Sequence, residues 1–155
     1  MGLGLFATDI IKKKHFIAEY WGRKLPTATV DELSSRYLFE INSRWTVDGS
    51  TRRNIARYIN HSCRPNAEAS ISKGRILIHA IKNIPPGDEI TYDYGRNYFN
   101  TFIKAVGCKC AACRKKRSKD RAAKRAAAAA RARKPEYRLI SSRFTLTPER
   151  DEARV

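Results

Sequence analysis

The first hundred residues alternate between apolar and polar positions in short runs, not in long helical stripes. Phe16 to Trp21 reads as a strand closed by Gly22. Tyr37, Phe39 and Ile41 recur at every second position, as on one face of a strand, and Asn42-Ser43 supplies a turn before Trp45-Thr46-Val47. Ala69-Ser70-Ile71 and the run from Arg75 to Ile81 flank Ser72-Lys73-Gly74, which predicts a hairpin. Pro85-Pro86-Gly87-Asp88 predicts a turn, with Glu89-Ile90-Thr91-Tyr92 as a strand behind it. One short helix is expected where Thr29-Val30-Asp31-Glu32 has the spacing of a capping box, running to about Ser35. The pattern is that of a mainly β domain.

After Cys113 the pattern changes abruptly. Arg114 to Lys134 is nearly all Arg, Lys and Ala, with an unbroken alanine run from Ala126 to Ala130. Alanine and arginine both favour helix, so one solvated helix is expected, stopped by Pro135. It lacks an apolar stripe broad enough to dock on a core. Glu136 to Val155 is polar and reads as loose chain.

Charge sharpens that boundary. The net charge is +17 over 155 residues, a length that suits one domain and a tail. Residues 1–106 hold 16 Lys/Arg against 10 Asp/Glu, whereas residues 107–155 hold 16 against 5. A field of that sign attracts nucleic acid, an anionic surface or acidic protein. No run of about 18 apolar residues exists, which argues against a membrane span. The start from Met1 to Ala7 is too short for a signal-peptide core, so an intracellular, non-secreted protein is expected. Four cysteines in a reducing compartment favour metal ligation over disulfides.

Three clusters carry candidate chemistry. Gly2-Leu3-Gly4 lets backbone approach a ligand closely, although the same pattern serves a plain turn. Arg57-Tyr58-Ile59-Asn60-His61-Ser62-Cys63-Arg64-Pro65-Asn66 sets amide, imidazole, hydroxyl and thiol side by side, suited to a polar ligand or to a hydrogen-bonded turn. In Asp88 to Gly95, Tyr92 and Tyr94 point to one side of a strand and Asp93 to the other. Two phenols on one face line a narrow channel or simply pack.

The order of these elements, with Glu-Tyr-x-Gly at Glu19–Gly22 and Cys-x-Cys at Cys108–Cys110, resembles the SET domain over about residues 2–113. That resemblance implies a fold of short strands in small sheets with a pseudoknot-like threading near the C-terminal end. It also implies methyl transfer from S-adenosylmethionine to a protein lysine. Gly2, Leu3, Gly4, Tyr58, Asn60 and His61 map to cofactor binding, and Tyr94 to the catalytic tyrosine. Tyr20 maps to the lysine channel, and Tyr92 to the position where tyrosine tends to limit the product to mono- or dimethyl-lysine. Cys63, Cys108, Cys110 and Cys113 would form a closed structural zinc site.

The chain departs from the family in three places. The second cysteine gap holds two residues instead of four, no strand precedes Gly2-Leu3-Gly4, and the segment from Asp31 to Trp45 is short. In those respects it looks more like the compact bacterial or viral members than the large chromatin enzymes. The implied organisation is a catalytic domain over 1–106, a post-SET-like zinc-binding segment over 107–117 and a basic tail over 118–155. Expected partners are a histone, histone-like or ribosomal protein, the tail itself as a substrate, and nucleic acid through that tail. The expected location is bacterial cytoplasm and nucleoid, or nucleus and chromatin. The rival reading is a non-catalytic, zinc-stabilised module that binds nucleic acid or chromatin.

Overall fold

The structure, a computed structural model, describes residues 3–30, 33 and 35–133. Its contacts divide the chain into two compact units, Met1–Ser118 and Lys119–Val155.

The first unit is built of small sheets. β1 (Phe16–Tyr20), β7 (Arg75–Ala80) and β6 (Ala67–Ser72) form an antiparallel sheet in the order β1-β7-β6. β2 (Arg23–Pro26), β4 (Trp45–Asp48) and β3 (Leu38–Glu40) form a second, in the order β2-β4-β3. β5 (Asn60–His61) and β8 (Thr91–Tyr92) make a two-stranded parallel pair. The mainly β reading holds for this unit.

The predicted hairpin joins β6 to β7 through Lys73 and Gly74, at φ 48° and 73°. Two successive left-handed residues turn the chain with the same hand as the strand twist, and glycine takes the second at no steric cost. Alternation along β7 buries Ile76, Ile78 and Ala80 against Ala18 and Tyr20 of β1, with Ile59 and Ile84 completing the core. Each fully buried isoleucine contributes roughly 1.5–3 kcal/mol.

Two expectations need correction. The helix from Thr29 is instead a single 3-10 turn, Thr27–Thr29, and the Thr29 hydroxyl donates back to the Pro26 carbonyl at 2.8 Å. Asp31, Glu32 and Ser34 lie outside the described residues. The strand expected over Glu89–Tyr92 is shorter, because the Asn66 side chain replaces a strand neighbour. Its amide donates to the Glu89 carbonyl at 2.8 Å and accepts from the Thr91 N–H at 2.7 Å.

Beyond β8, Gly95 at φ 84° opens a short helical segment, α1 (Arg96–Tyr98), which runs into a π-helical turn over Phe99–Ile103. α2 (Ala111–Ala132) starts a little before the predicted Arg114 and has no buried residue. Pro135, the expected stop, lies outside the described residues.

Candidate active site and metal centre

The parallel pairing of β5 with β8 creates the site. It sets Asn60 beside Thr91 and His61 beside Tyr92, joining segments about thirty residues apart in sequence. Above the pair opens a cleft of about 1430 Å³, whose lining includes Leu3, Tyr20, Tyr58, Asn60, Tyr92 and Tyr94. Six of the residues marked by the resemblance thus meet at one cavity. Gly2 lies outside the described residues.

At one part of this cleft the Asn60 amide nitrogen is fully committed. Its nitrogen donates to the Leu3 carbonyl at 3.1 Å and to Glu89 Oε1 at 2.7 Å. With both N–H groups used, the Asn60 oxygen is the atom left to meet a ligand. Gly4 lies against the same pair, and a Cβ there would stand 2.8 Å from Glu89 Oε1 and 3.3 Å from Asn60 Nδ2. The glycine leaves room for these two side chains and has no left-handed φ to explain it. Glu89 was not singled out from sequence. Only the fold brings its carboxylate to Asn60.

The other wall is aromatic. Tyr92 and Tyr94 have ring centroids 4.9 Å apart, Tyr94 and Tyr98 also 4.9 Å, and Tyr98 and Phe102 4.7 Å. Phe39 bridges Tyr20 at 5.5 Å and Tyr92 at 6.4 Å. Phe39, Tyr98 and Phe102 are additions to the sequence reading; a helical i, i+4 aromatic pair at 98 and 102 was the available signal. The Tyr94 hydroxyl donates to the Ile59 carbonyl at 2.7 Å, and the Tyr20 hydroxyl to the Tyr37 carbonyl at 2.8 Å. Burial raises the pKa of Tyr20, Tyr92 and Tyr94 well above the usual phenol value, and neighbouring phenols add to it. All three stay protonated at neutral pH.

His61 behaves differently from the cleft residues. Its ring is not part of the described lining. It packs edge-on to Tyr94 at 5.5 Å and tilted to Phe99 at 5.5 Å. Burial lowers its pKa, with Asp93 opposing, so the imidazole is neutral. Nδ1 accepts the Tyr94 N–H at 3.3 Å, which assigns the proton to Nε2, 3.4 Å from Cys63 Sγ. His61 therefore braces Tyr94 on one side and the cysteine cluster on the other.

The four cysteines converge. Their sulfurs all lie within 4.8 Å of one another. Cys63 Sγ is 3.8 Å from Cys108 Sγ and 3.6 Å from Cys113 Sγ. A tetrahedron with zinc–sulfur bonds of about 2.3 Å spaces its sulfurs at about 3.8 Å, so the cluster is compatible with zinc. The short second gap closes because α2 starts at Ala111. Its first turn brings Cys113 back to Cys110, with the Cys113 N–H 3.5 Å from Cys110 Sγ. Burial pushes the Cys110 thiol up, but hydrogen bonds from the Cys63 and Cys113 backbone and from the Cys108 and Cys113 thiols together bring it down to about 6. Arg117 closes the cluster from α2 by donating to the Cys108 carbonyl at 2.7 Å.

Comparison with known proteins decides the family. The SET domain profile matches residues 2–95. The chain belongs to the SET-domain family. This SET domain is similar to the Saccharomyces cerevisiae protein named "Histone-lysine N-methyltransferase, H3 lysine-4 specific", with 35% identity over 122 residues, 70% of this chain and 11% of that protein. The Caenorhabditis elegans "Histone-lysine N-methyltransferase mes-4" is 37% identical over 120 residues, 62% of this chain and 13% of that one. The Dictyostelium discoideum "Histone-lysine N-methyltransferase set1" is 34% identical over 124 residues, 72% and 8%. The chain spans about a tenth of the length of these curated relatives. No described helix is long and apolar enough to cross a membrane.

Proposed function

We propose that this SET domain transfers a methyl group from S-adenosylmethionine to the side-chain amine of a protein lysine. One observation carries the reading: the β5–β8 pairing sets Tyr94, hydrogen-bonded to Ile59, beside Tyr92 and within one cleft of Asn60. Leu3, the backbone at Gly4, Tyr58 and the free oxygen of Asn60 offer polar and close-approach contacts suited to the cofactor, with Gly2 and His61 assigned to the same end by family resemblance. S-adenosylmethionine, when bound, supplies an electrophilic methyl group.

The chain's own residues then position the lysine. Tyr20, Tyr92 and Tyr94 wall a channel that excludes water and holds the amine in line, which supplies much of the acceleration. None of these phenols is a base at neutral pH, so the lysine loses its proton to water before reaction, a loss that desolvation favours. The Tyr94 hydrogen is directed to Ile59, which leaves the phenol oxygen's lone pairs for the developing charge at the reaction centre. The Tyr92 hydroxyl narrows the channel, and the product is mono- or dimethyl-lysine. Cys63, Cys108, Cys110 and Cys113 would hold a structural zinc that fixes the segment after β8.

The relatives' names support a histone or other lysine-bearing protein as substrate, and chromatin as the location. Those relatives are yeast, worm and amoeba proteins, which lends nothing to a bacterial setting. The basic chain after Cys113 supports contact with nucleic acid. The test is labelled-methyl transfer to histones and to ribosomal proteins, with cofactor uptake followed by calorimetry. Tyr94→Phe is expected to lower transfer at least about 100-fold, the scale of one lost transition-state contact, while cofactor affinity stays within about threefold. Full activity in that variant removes Tyr94 from the mechanism, and DNA binding without cofactor uptake overturns the assignment.

A further inference from the structure

The second unit contains the exposed end of α2, and its charges are not spread evenly. Between Lys119 and Arg133 stand six cations and one acid, Asp120. At 3.6 residues per turn, Arg121, Lys124, Arg125 and Arg131 fall within about 120° of arc, spaced at i, i+3, i+4 and i+10. The remaining surface is chiefly alanine, from Ala122, Ala123, Ala126, Ala127, Ala129 and Ala130, with Lys119 and Arg133 as its cations. Asp120 lies at the edge of the cationic face, one turn before Lys124. Every residue from Arg114 to Arg133 is exposed.

We propose that this face of α2 binds duplex DNA through its phosphates, with the alanine face turned away. The proposal rests on the reading that the basic segment meets nucleic acid, and names the surface and the partner. Four cations over ten residues span about 15 Å of helix, against one phosphate charge per about 1.7 Å of duplex axis. A helix of 10–12 Å diameter enters the B-form major groove, about 12 Å wide, and alanine adds no bulk to obstruct it. The narrow major groove of duplex RNA does not admit it. An anionic membrane requires Trp, Phe or Leu anchors, and a protein groove requires large apolar anchors at helical spacing. Residues 119–132 carry neither.

The experiment uses the full chain and a 20-base-pair DNA duplex, titrated by fluorescence anisotropy from 50 to 200 mM salt. Affinity is expected to fall on the order of 100-fold across that range, as about four phosphate contacts require. Replacing Arg121, Lys124, Arg125 and Arg131 together by glutamine should weaken binding at least about 10-fold at 100 mM salt and flatten the salt slope by about three. Replacing Lys115, Lys116, Lys119 and Arg133 removes the same charge from elsewhere and should cost about threefold or less. Glutamine preserves helix, and circular dichroism checks that it does. Equal losses in both variants refute the face while leaving nucleic-acid binding standing. No salt-dependent binding to DNA refutes both. Tighter binding to duplex RNA, or to phosphatidylserine vesicles, overturns the choice of partner.

Discussion

The two units of this protein stand for opposite reasons. Residues before Ser118 are ordered by tertiary contacts: Ile59, Ile76, Ile78 and Ile84 are buried together, and strands of two to six residues are too short to persist alone. α2 buries nothing, and beyond Ser118 it holds its shape by local preference, with alanine and arginine the strong helix formers. Chemistry follows the same split. The cleft and the cysteine cluster need groups dozens of residues apart to meet, whereas the charge of α2 can be read one residue at a time.

That contrast can be broken or sharpened by experiment. The largest effect is expected from chelating the metal of zinc-loaded protein. Four thiols left around no ion loosen the segment after β8, and methyl transfer should fall at least about 10-fold, with helicity at 222 nm largely kept. Protein purified without chelator that holds less than about half an equivalent of zinc argues against the site. Next comes Ile78→Ala, expected to destabilise the first unit by about 2–5 kcal/mol. Denaturant unfolding followed by tryptophan fluorescence reads this, since Trp21 and Trp45 both lie in that unit. Ala127→Gly should cost the helix about 1 kcal/mol, lowering the 222 nm signal without moving the fluorescence midpoint. A shift of both signals would show that the units unfold together.

The smallest effect concerns pH. A hydrogen bond and charge from Arg75 hold the Glu19 carboxyl below the usual carboxylate range, tying β1 to β7 at the surface. A depressed carboxyl contributes stability above its unfolded value of about 4.3, and that contribution is lost as pH falls through the folded value. Glu19→Gln should therefore leave the melting temperature nearly unchanged in acid and lower it slightly at neutral pH. An equal offset at both ends would place the effect in packing.

Much of this was legible from residue order alone. Ser72-Lys73-Gly74 signalled a hairpin turn because it breaks two strand-like runs and its glycine takes a left-handed conformation at no steric cost. The Ala/Arg/Lys composition signalled the helix because propensity is additive along a chain. The motifs from Gly2 to Cys113 signalled the family, which comparison then showed. The helix expected from Thr29 is absent at the described residues Val30, Leu33 and Ser35, and Asp31 and Glu32, which would show its cap, lie outside them.

Only the tertiary structure decided who meets whom. Glu89 holds Asn60, Asn66 stands in for a strand neighbour, and His61 meets both Tyr94 and Cys63. The two-residue cysteine gap closes because a helix begins there. Sequence determines local conformation through sterics and periodicity, which act over a few residues. Contacts across thirty or fifty residues depend on how buried strands pair, and packing alone chooses among those pairings.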